Sequence, residues 1–432
     1  MYKHVVLFRI LYHIYYMYDI IVVGGGIAGL YTAYNLSLLY PKKTIKIMEK
    51  SDTLGGRVHT YKDRNFQVEA GAGRISAKNK SVLKLLEKLN LTDKLVPITN
   101  DFRIVDIKHP GIIQKSHLYN YLKTVISNVT EDQTTLQHMT FIDYIKMKLS
   151  KEESRYLLDF FGYTSELTVM NAYDTIQIMK TYFSKTSKYY ILNGGLSQII
   201  NSIVEILEAR SVSISRKTEV TNVVFDQNKQ IFEINTKKNK KEECFLCFFA
   251  VTKDVLEKIS IFQPVYRYLK YIETKPLCRI YAKYKTAWFK DLPKITTNSP
   301  LKYIIPIDST EGIIMISYTD EKYADYWKKL YDNEGSSVLK RTIKGYVNQT
   351  FDIETPLPTA IKMFFWEKGA AYFTKGFDST TMNKKIMVPY PELPLFVCGE
   401  NYSENNTAWM EGALDTSDYV LKQSQKYFKE SV

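Results

Sequence analysis

The segment Tyr18-Asp19-Ile20-Ile21-Val22-Val23-Gly24-Gly25-Gly26-Ile27-Ala28-Gly29 decides the fold. Its first six residues form a short, β-branched run of the kind that fills a buried parallel strand. The run leads straight into G-x-G-x-x-G, and Leu30 to Leu39 then reads as a helix. A second strand, Thr44 to Met48, ends in Glu49. Gly24 permits a tight turn, Gly26 lets the backbone approach a pyrophosphate, and Gly29 lets helix and strand pack closely. Ile27 and Ala28 lie between these glycines, where the helix begins. The carboxylate of Glu49 is expected to hydrogen-bond ribose hydroxyls, and the lack of a basic partner beside it disfavours NADP. Together these parts predict a dinucleotide-binding βαβ unit.

The chain continues Lys50-Ser51-Asp52-Thr53-Leu54-Gly55-Gly56-Arg57-Val58. This stretch resembles the segment that follows the second strand in flavin-containing amine oxidases, the family of monoamine, polyamine and L-amino-acid oxidases. The resemblance implies FAD, with Lys50 and Gly56 beside it and Arg57 giving charge to the pyrophosphate. Further similar pieces follow in order. Tyr190 to Gln198, holding Gly194-Gly195, resembles the family's second glycine pair. Glu219-Val220 to Phe225, with Ile231 to Ile234, resembles the hairpin whose valine meets the adenine, and Cys247 to Thr252 the strand and turn that close that half. Leu395 to Asn401, with Gly399-Glu400, and Ala408 to Leu414, with Trp409-Met410, resemble the segments that contact the flavin end.

That likeness implies an α/β protein: a Rossmann-like FAD-binding domain built of two dinucleotide-binding halves, and a discontinuous α+β substrate-binding domain with a helical insert. The expected FAD-binding pieces are 17–80, 190–265 and 390–432; 81–189 and 266–389 form the substrate-binding domain, and 1–16 is an N-terminal extension. Ser81 to Leu91 and Leu136 to Leu149 carry helical apolar spacing, which suits the insert.

The same resemblance implies the site. Glu69-Ala70-Gly71-Ala72-Gly73-Arg74 resembles the Gly-x-x-Arg segment of L-amino-acid oxidases, in which Arg74 would grip the substrate carboxylate; Gly73 and Arg74 also border the cofactor. A planar guanidinium suits a carboxylate bidentately. Tyr372 and Trp409 correspond to two aromatic positions that flank the amine. Core packing is the competing role for either ring. Ala371 stands where monoamine oxidases carry a cysteine bonded to flavin, so FAD is expected to be non-covalent. Arg279 falls where many members hold a lysine near flavin N5; it remains charged and cannot act as a base. The implied reaction is oxidation of a C–N bond to an imine, an L-amino acid being favoured, with oxygen as acceptor and hydrogen peroxide as product. The alternatives are a desaturase or porphyrinogen-type dehydrogenase on the same scaffold and a non-catalytic flavoprotein.

Bulk properties set the outer bounds. The 432 residues, 45% of them hydrophobic, suffice for two or three domains. Lys and Arg number 59 against 46 acids, a net charge of +13, but the excess is scattered lysine without a basic-aromatic pattern, so no nucleic-acid partner is expected. The cluster Lys237 to Lys241 reads as a solvated hairpin tip. Cys244 and Cys247 form C-x-x-C within an apolar strand, with no second Cys/His pair to complete a metal site, so all four cysteines read as buried thiols in a reducing cytoplasm. Val5 to Tyr16 is too short to span a bilayer, and stable membrane insertion is not expected. Oligomeric state is left open.

Overall fold

A computed structural model describes residues 17–99, 101–183 and 187–428. The expectations for residues 1–16 lie outside the described residues.

The β-branched run becomes the strand Met17–Val23, and its Ile20, Ile21 and Val22 are wholly buried. Such a strand needs apolar cover on both faces, which only a sheet interior gives. It lies parallel to Ile45–Met48 on one side and to Lys241–Phe249 on the other. Ser213–Ser215 extends the sheet beyond Ile45–Met48. The long strand Lys241–Phe249 divides its second edge. Its first residues pair antiparallel with Ile231–Thr236, which pairs in turn with Val220–Asp226. Its last three residues pair parallel with Leu395–Val397. Segments from both ends of the chain thus meet in one sheet. The helices Ile27–Leu39 and Met410–Ser424 pack against each other, tied by Tyr31 to Asp418 at 2.9 Å and by Ser417 to the carbonyl of Ala28 at 3.2 Å.

A second seven-stranded sheet runs in the order 360–373, 272–283, 313–320, 303–308, 294–297, 102–105 and 114–115. One face is covered by the helix Glu321–Phe351, whose Trp327, Leu339, Ile343 and Val347 pack with Cys278, Ile280, Ile314 and Ile316. That helix leaves helical geometry at Gly335 (φ 75°), the kind of kink that glycine accommodates. Short helices between Leu118 and Tyr182 form a separate apolar core.

The spacing of Ser81 to Leu91 is realised as the helix Lys80–Lys88, burying Val82, Leu85 and Leu86. The Leu136 to Leu149 spacing is not one helix. It divides into Gln133–Gln137 and Phe141–Lys148, because Thr140 and Asp143 form a capping box that starts a new helix. The lysine cluster does form the turn between two strands, with Lys237 paired to Glu219 at 3.2 Å. All four cysteines are free and buried, and burial, helped by the hydrogen bond with Cys244, holds the Cys247 thiol well above its ordinary range. Among the described residues no helix is long and apolar enough to cross a membrane.

Candidate active site

The glycine turn joins the Met17–Val23 strand to the Ile27–Leu39 helix. Gly24 has φ 105°, and a Cβ there would stand 2.3 Å from the carbonyl oxygen of Ala250. Only glycine fits. Gly29 is equally confined, since its Cβ would lie 1.9 Å from the Gly24 oxygen. Gly26 is the reverse: nothing lies within 4 Å of its would-be Cβ. The helix begins there with no side-chain cap and no acid in its first turn, and Ile27 and Ala28 are its first residues. The leading amides of a helix lack intrahelical acceptors and carry the positive end of its dipole. Open space at such a terminus suits a pyrophosphate, so these residues fit the phosphates of FAD.

Glu49 was expected to face a ribose. In the structure one carboxylate oxygen accepts from the Gly25 amide at 2.6 Å and the other from the Ser51 amide at 2.8 Å. It therefore shapes the turn, with unfilled lone pairs left for a ligand. The Thr218 amide donates to the Glu49 carbonyl at 2.8 Å, which brings the Val220 strand to the same edge. Lys50 is exposed.

Arg57 reaches across the sheet end. Its guanidinium pairs with Glu400 at 2.6 Å and donates to the Gly369 carbonyl at 3.0 Å. Glu400 is 7% exposed and its second oxygen accepts from the Ala408 amide at 2.7 Å. Arg57 thus locks the Gly55-Gly56 turn to the Gly399-Glu400 turn, besides any charge it offers a phosphate. Trp409 precedes the helix Met410–Ser424, and Met410 is buried within that helix start. Glu411 accepts from the amides of Ser81 and Val82, fixing the Lys80–Lys88 helix to the same corner.

Beyond this corner, side chains from the second sheet, the helical insert and the loop that carries Arg74 gather into a cluster of charge and tyrosine. Arg74 sits over the ring of Tyr189 at 4.6 Å and that of Trp409 at 5.5 Å. Trp409 stacks on Tyr182 with centroids 4.5 Å apart. Arg279 lies over Tyr318 at 4.4 Å and donates to the Glu69 carbonyl at 3.0 Å, beside Gly73. Tyr372 is 3% exposed on the strand Ala360–Phe373, near Tyr163, Tyr318 and Glu166. Hence Trp409 lies by Arg74 and Tyr372 near Tyr163 and Tyr318, and the firm ring stack in the structure is Trp409 on Tyr182. The position expected for a lysine is filled by an arginine already spent on a backbone carbonyl and a ring.

Sequence reasoning missed Tyr163, Glu166, Tyr303, Tyr318 and Lys294. Tyr163 packs on Tyr303 at 5.0 Å and on Tyr318 at 5.3 Å. Burial and the Arg74 charge bring the Lys294 ammonium down to about 7. Burial, then the charge of Asp320, push the Glu166 carboxyl up to about 8 against the pull of Arg74. No sequence signal marked them: Tyr163 and Glu166 belong to one short helix and its cap, the others to three separate strands, and each is made distinctive only by its neighbours. The Glu166 shift has a sign. Folded Glu166 keeps a proton that the unfolded chain releases, so its contribution to stability falls as pH rises from about 4.5 to about 8. Glu166→Gln is expected to melt like the wild type near pH 4 and to gain roughly 2–4 kcal/mol over it by pH 9. A wild-type–variant difference that is flat with pH would refute the assignment.

Comparison with known proteins bears on these features. The profile described as flavin containing amine oxidoreductase matches residues 27–419. An uncharacterized protein of Acanthamoeba polyphaga mimivirus is 20% identical over 93% of this chain and 93% of its own length. A flavin-dependent L-tryptophan oxidase of Lentzea aerocolonigenes is 41% identical over 80 residues, 18% of this chain and 16% of its own. Among solved structures, a putrescine oxidase redesigned in its cofactor binding superposes with a TM-score of 0.77 at 14% identity, covering 95% of this chain and 99% of its own. The two-part fold is therefore that of the flavin amine oxidases.

Proposed function

Because this chain belongs to the flavin-containing amine oxidoreductase family, we propose that it oxidises the C–N bond of an L-amino acid. It is an FAD-dependent oxidoreductase acting on amines, and its FAD is held without a covalent bond. In this reading FAD rests on Gly24, Gly26, Ile27, Ala28, Gly29, Glu49, Gly56, Arg57, Val220, Gly399, Glu400 and Met410, with Lys50 at the rim. Residues 17–80, 190–265 and 390–432 carry it; every strand of the first sheet falls in those stretches. The substrate part is 81–189 and 266–389, which hold the second sheet and the helical insert.

The observation that carries the substrate reading is Arg74. Its guanidinium lies over the rings of Tyr189 and Trp409 and, among the described residues, pairs with no carboxylate and donates no hydrogen bond. A buried cation without an anion is costly, and a substrate carboxylate relieves that cost. The same charge argues against a diamine. Like charges about 4 Å apart repel by roughly 4 kcal/mol at an effective dielectric of 20.

When bound, FAD supplies a two-electron acceptor that takes hydride from the carbon bearing the amine and passes the electrons to oxygen, giving hydrogen peroxide, while water hydrolyses the released imine. The chain's own part is positioning. Arg74 holds the carboxylate bidentately and so fixes which face of the α-carbon is presented. Trp409, braced by Tyr182, and Tyr372 wall the amine and exclude water. Arg279 stays protonated and offers charge and donors, never a base.

A second reading, a porphyrinogen-type dehydrogenase acting on carbon centres, draws on that same arginine. Anaerobic mixing with L-amino acids and amines separates the two readings. Loss of the flavin absorbance near 450 nm with amino acids is expected. Bleaching by none of them would overturn the proposal.

A further inference from the structure

We infer that Tyr281 and Trp366 are positioning residues: with Arg279 they hold the backbone of the 69–74 loop and so set where Arg74 presents its guanidinium. The inference rests on the amino-acid reading above and deepens it. Side chains alternate along a strand, so Leu277, Arg279 and Tyr281 leave one face of Ile272–Lys283, and Cys278 and Ile280 leave the other. Cys278 and Ile280 pack with the helix Glu321–Phe351. Trp366 stands opposite Leu277 in the antiparallel pairing with Ala360–Phe373. Directly paired residues share a face, so Trp366 joins Arg279 and Tyr281 on the side away from that helix.

All three side chains of that face end on the loop. Arg279 donates from Nη1 to the Glu69 carbonyl at 3.0 Å, and the Tyr281 hydroxyl donates to the same oxygen at 2.8 Å. A carbonyl oxygen offers two lone pairs, and these two donors fill them. The next carbonyl, that of Ala70, accepts from Trp366 Nε1 at 2.7 Å. Arg279 also leans on the residue before Arg74, since a Cβ at Gly73 would lie 3.0 Å from its Nη1. The other side of the loop is bonded to the flavin-binding half. The Ala70 amide donates to the His59 carbonyl at 2.9 Å and the Ala72 amide to the Arg57 carbonyl at 2.8 Å. A Cβ at Gly71 would stand 1.9 Å from that Arg57 oxygen, so the two backbones touch without a side chain between them. The Glu69 carboxylate accepts from the Leu196 amide at 2.7 Å. The guanidinium of Arg74 itself rests on the rings of Tyr189 and Trp409. A ring face attracts a cation without engaging its N–H donors, so their direction is left to the backbone that carries the side chain. Donors from the second sheet fix that backbone on two successive carbonyls, and they act on a substrate through Arg74.

The test uses the full-length, flavin-loaded protein, the common L-amino acid that reduces it fastest, and the decarboxylated amine of that amino acid. Tyr281→Phe and Trp366→Phe each delete one donor and keep a ring. Each is expected to lower kcat/KM for the amino acid by roughly 3- to 10-fold, mainly through a higher KM. The amine, which has no group for Arg74, is expected to change by less than about twofold. Placed on Arg74→Ala, the same substitutions are expected to cost the amino acid less than about twofold, because no guanidinium is left to orient. If Trp366→Phe fails to fold, Tyr281→Phe carries the same cycle. Equal losses with and without Arg74, equal losses for acid and amine, or no loss at all would overturn this inference and leave the amino-acid reading standing. No reduction by any L-amino acid would overturn both.

Discussion

Gly24→Ala protein is expected to be colourless and weakly folded. The position demands φ 105°, and the new methyl would meet the Ala250 carbonyl oxygen at 2.3 Å. Backbone strain and overpacking together cost roughly 2–6 kcal/mol. That carbonyl belongs to the chain emerging from Lys241–Phe249, and the Ala250 amide is bonded to Val23 at 2.8 Å. Relief by movement would therefore pull apart the central pair of strands. Gly26→Ala makes the instructive contrast. Its methyl enters open space, so the fold is expected to survive while FAD is lost or weakened. Circular dichroism and the absorbance near 450 nm read the two effects separately. Full flavin occupancy in Gly26→Ala would remove the pyrophosphate from that space.

The second large effect belongs to Arg74→Ala. Removing one partner of a desolvated, hydrogen-bonded charge pair costs about 2–5 kcal/mol. That corresponds to roughly 30- to 4000-fold in kcat/KM for amino acids. Amines without a carboxylate are expected to lose far less, because they make no such pair. Arg74→Lys should rescue only part of the loss, since an ammonium cannot present the paired donors of a guanidinium. Arg74 also lies over Tyr189 and Trp409, so flavin content is measured in each variant. Equal losses for amino acids and for simple amines would mean that Arg74 braces the rings and does not hold a carboxylate.

Much of the flavin-binding half was legible because its signals are local. Strand, glycine turn, helix and acid succeed one another within thirty-odd residues, and each constrains the backbone of its own neighbourhood. The role expected for Glu49 was incomplete for the same reason. Its hydrogen bonds to Gly25 and Ser51 are set by how the turn folds back, which spacing does not encode. The helical spacing from Leu136 to Leu149 is realised, but as parts of two helices, because the Thr140 cap starts a new one inside it.

By itself, the sequence determined the family, the flavin-binding βαβ unit and the requirement for glycine at position 24. These follow from contiguous residues and from sterics that any homologous turn must obey. Only the tertiary structure decided that Arg57 is bonded to Glu400, that Arg279 is spent on Glu69, and that Trp409 is stacked on Tyr182 beneath Arg74. It alone brought Glu166 and Lys294, 128 positions apart by their numbers, into one field with Arg74. The physical reason is that charge and desolvation act through space, so the chemistry of a titrating group depends on neighbours that chain order does not reveal.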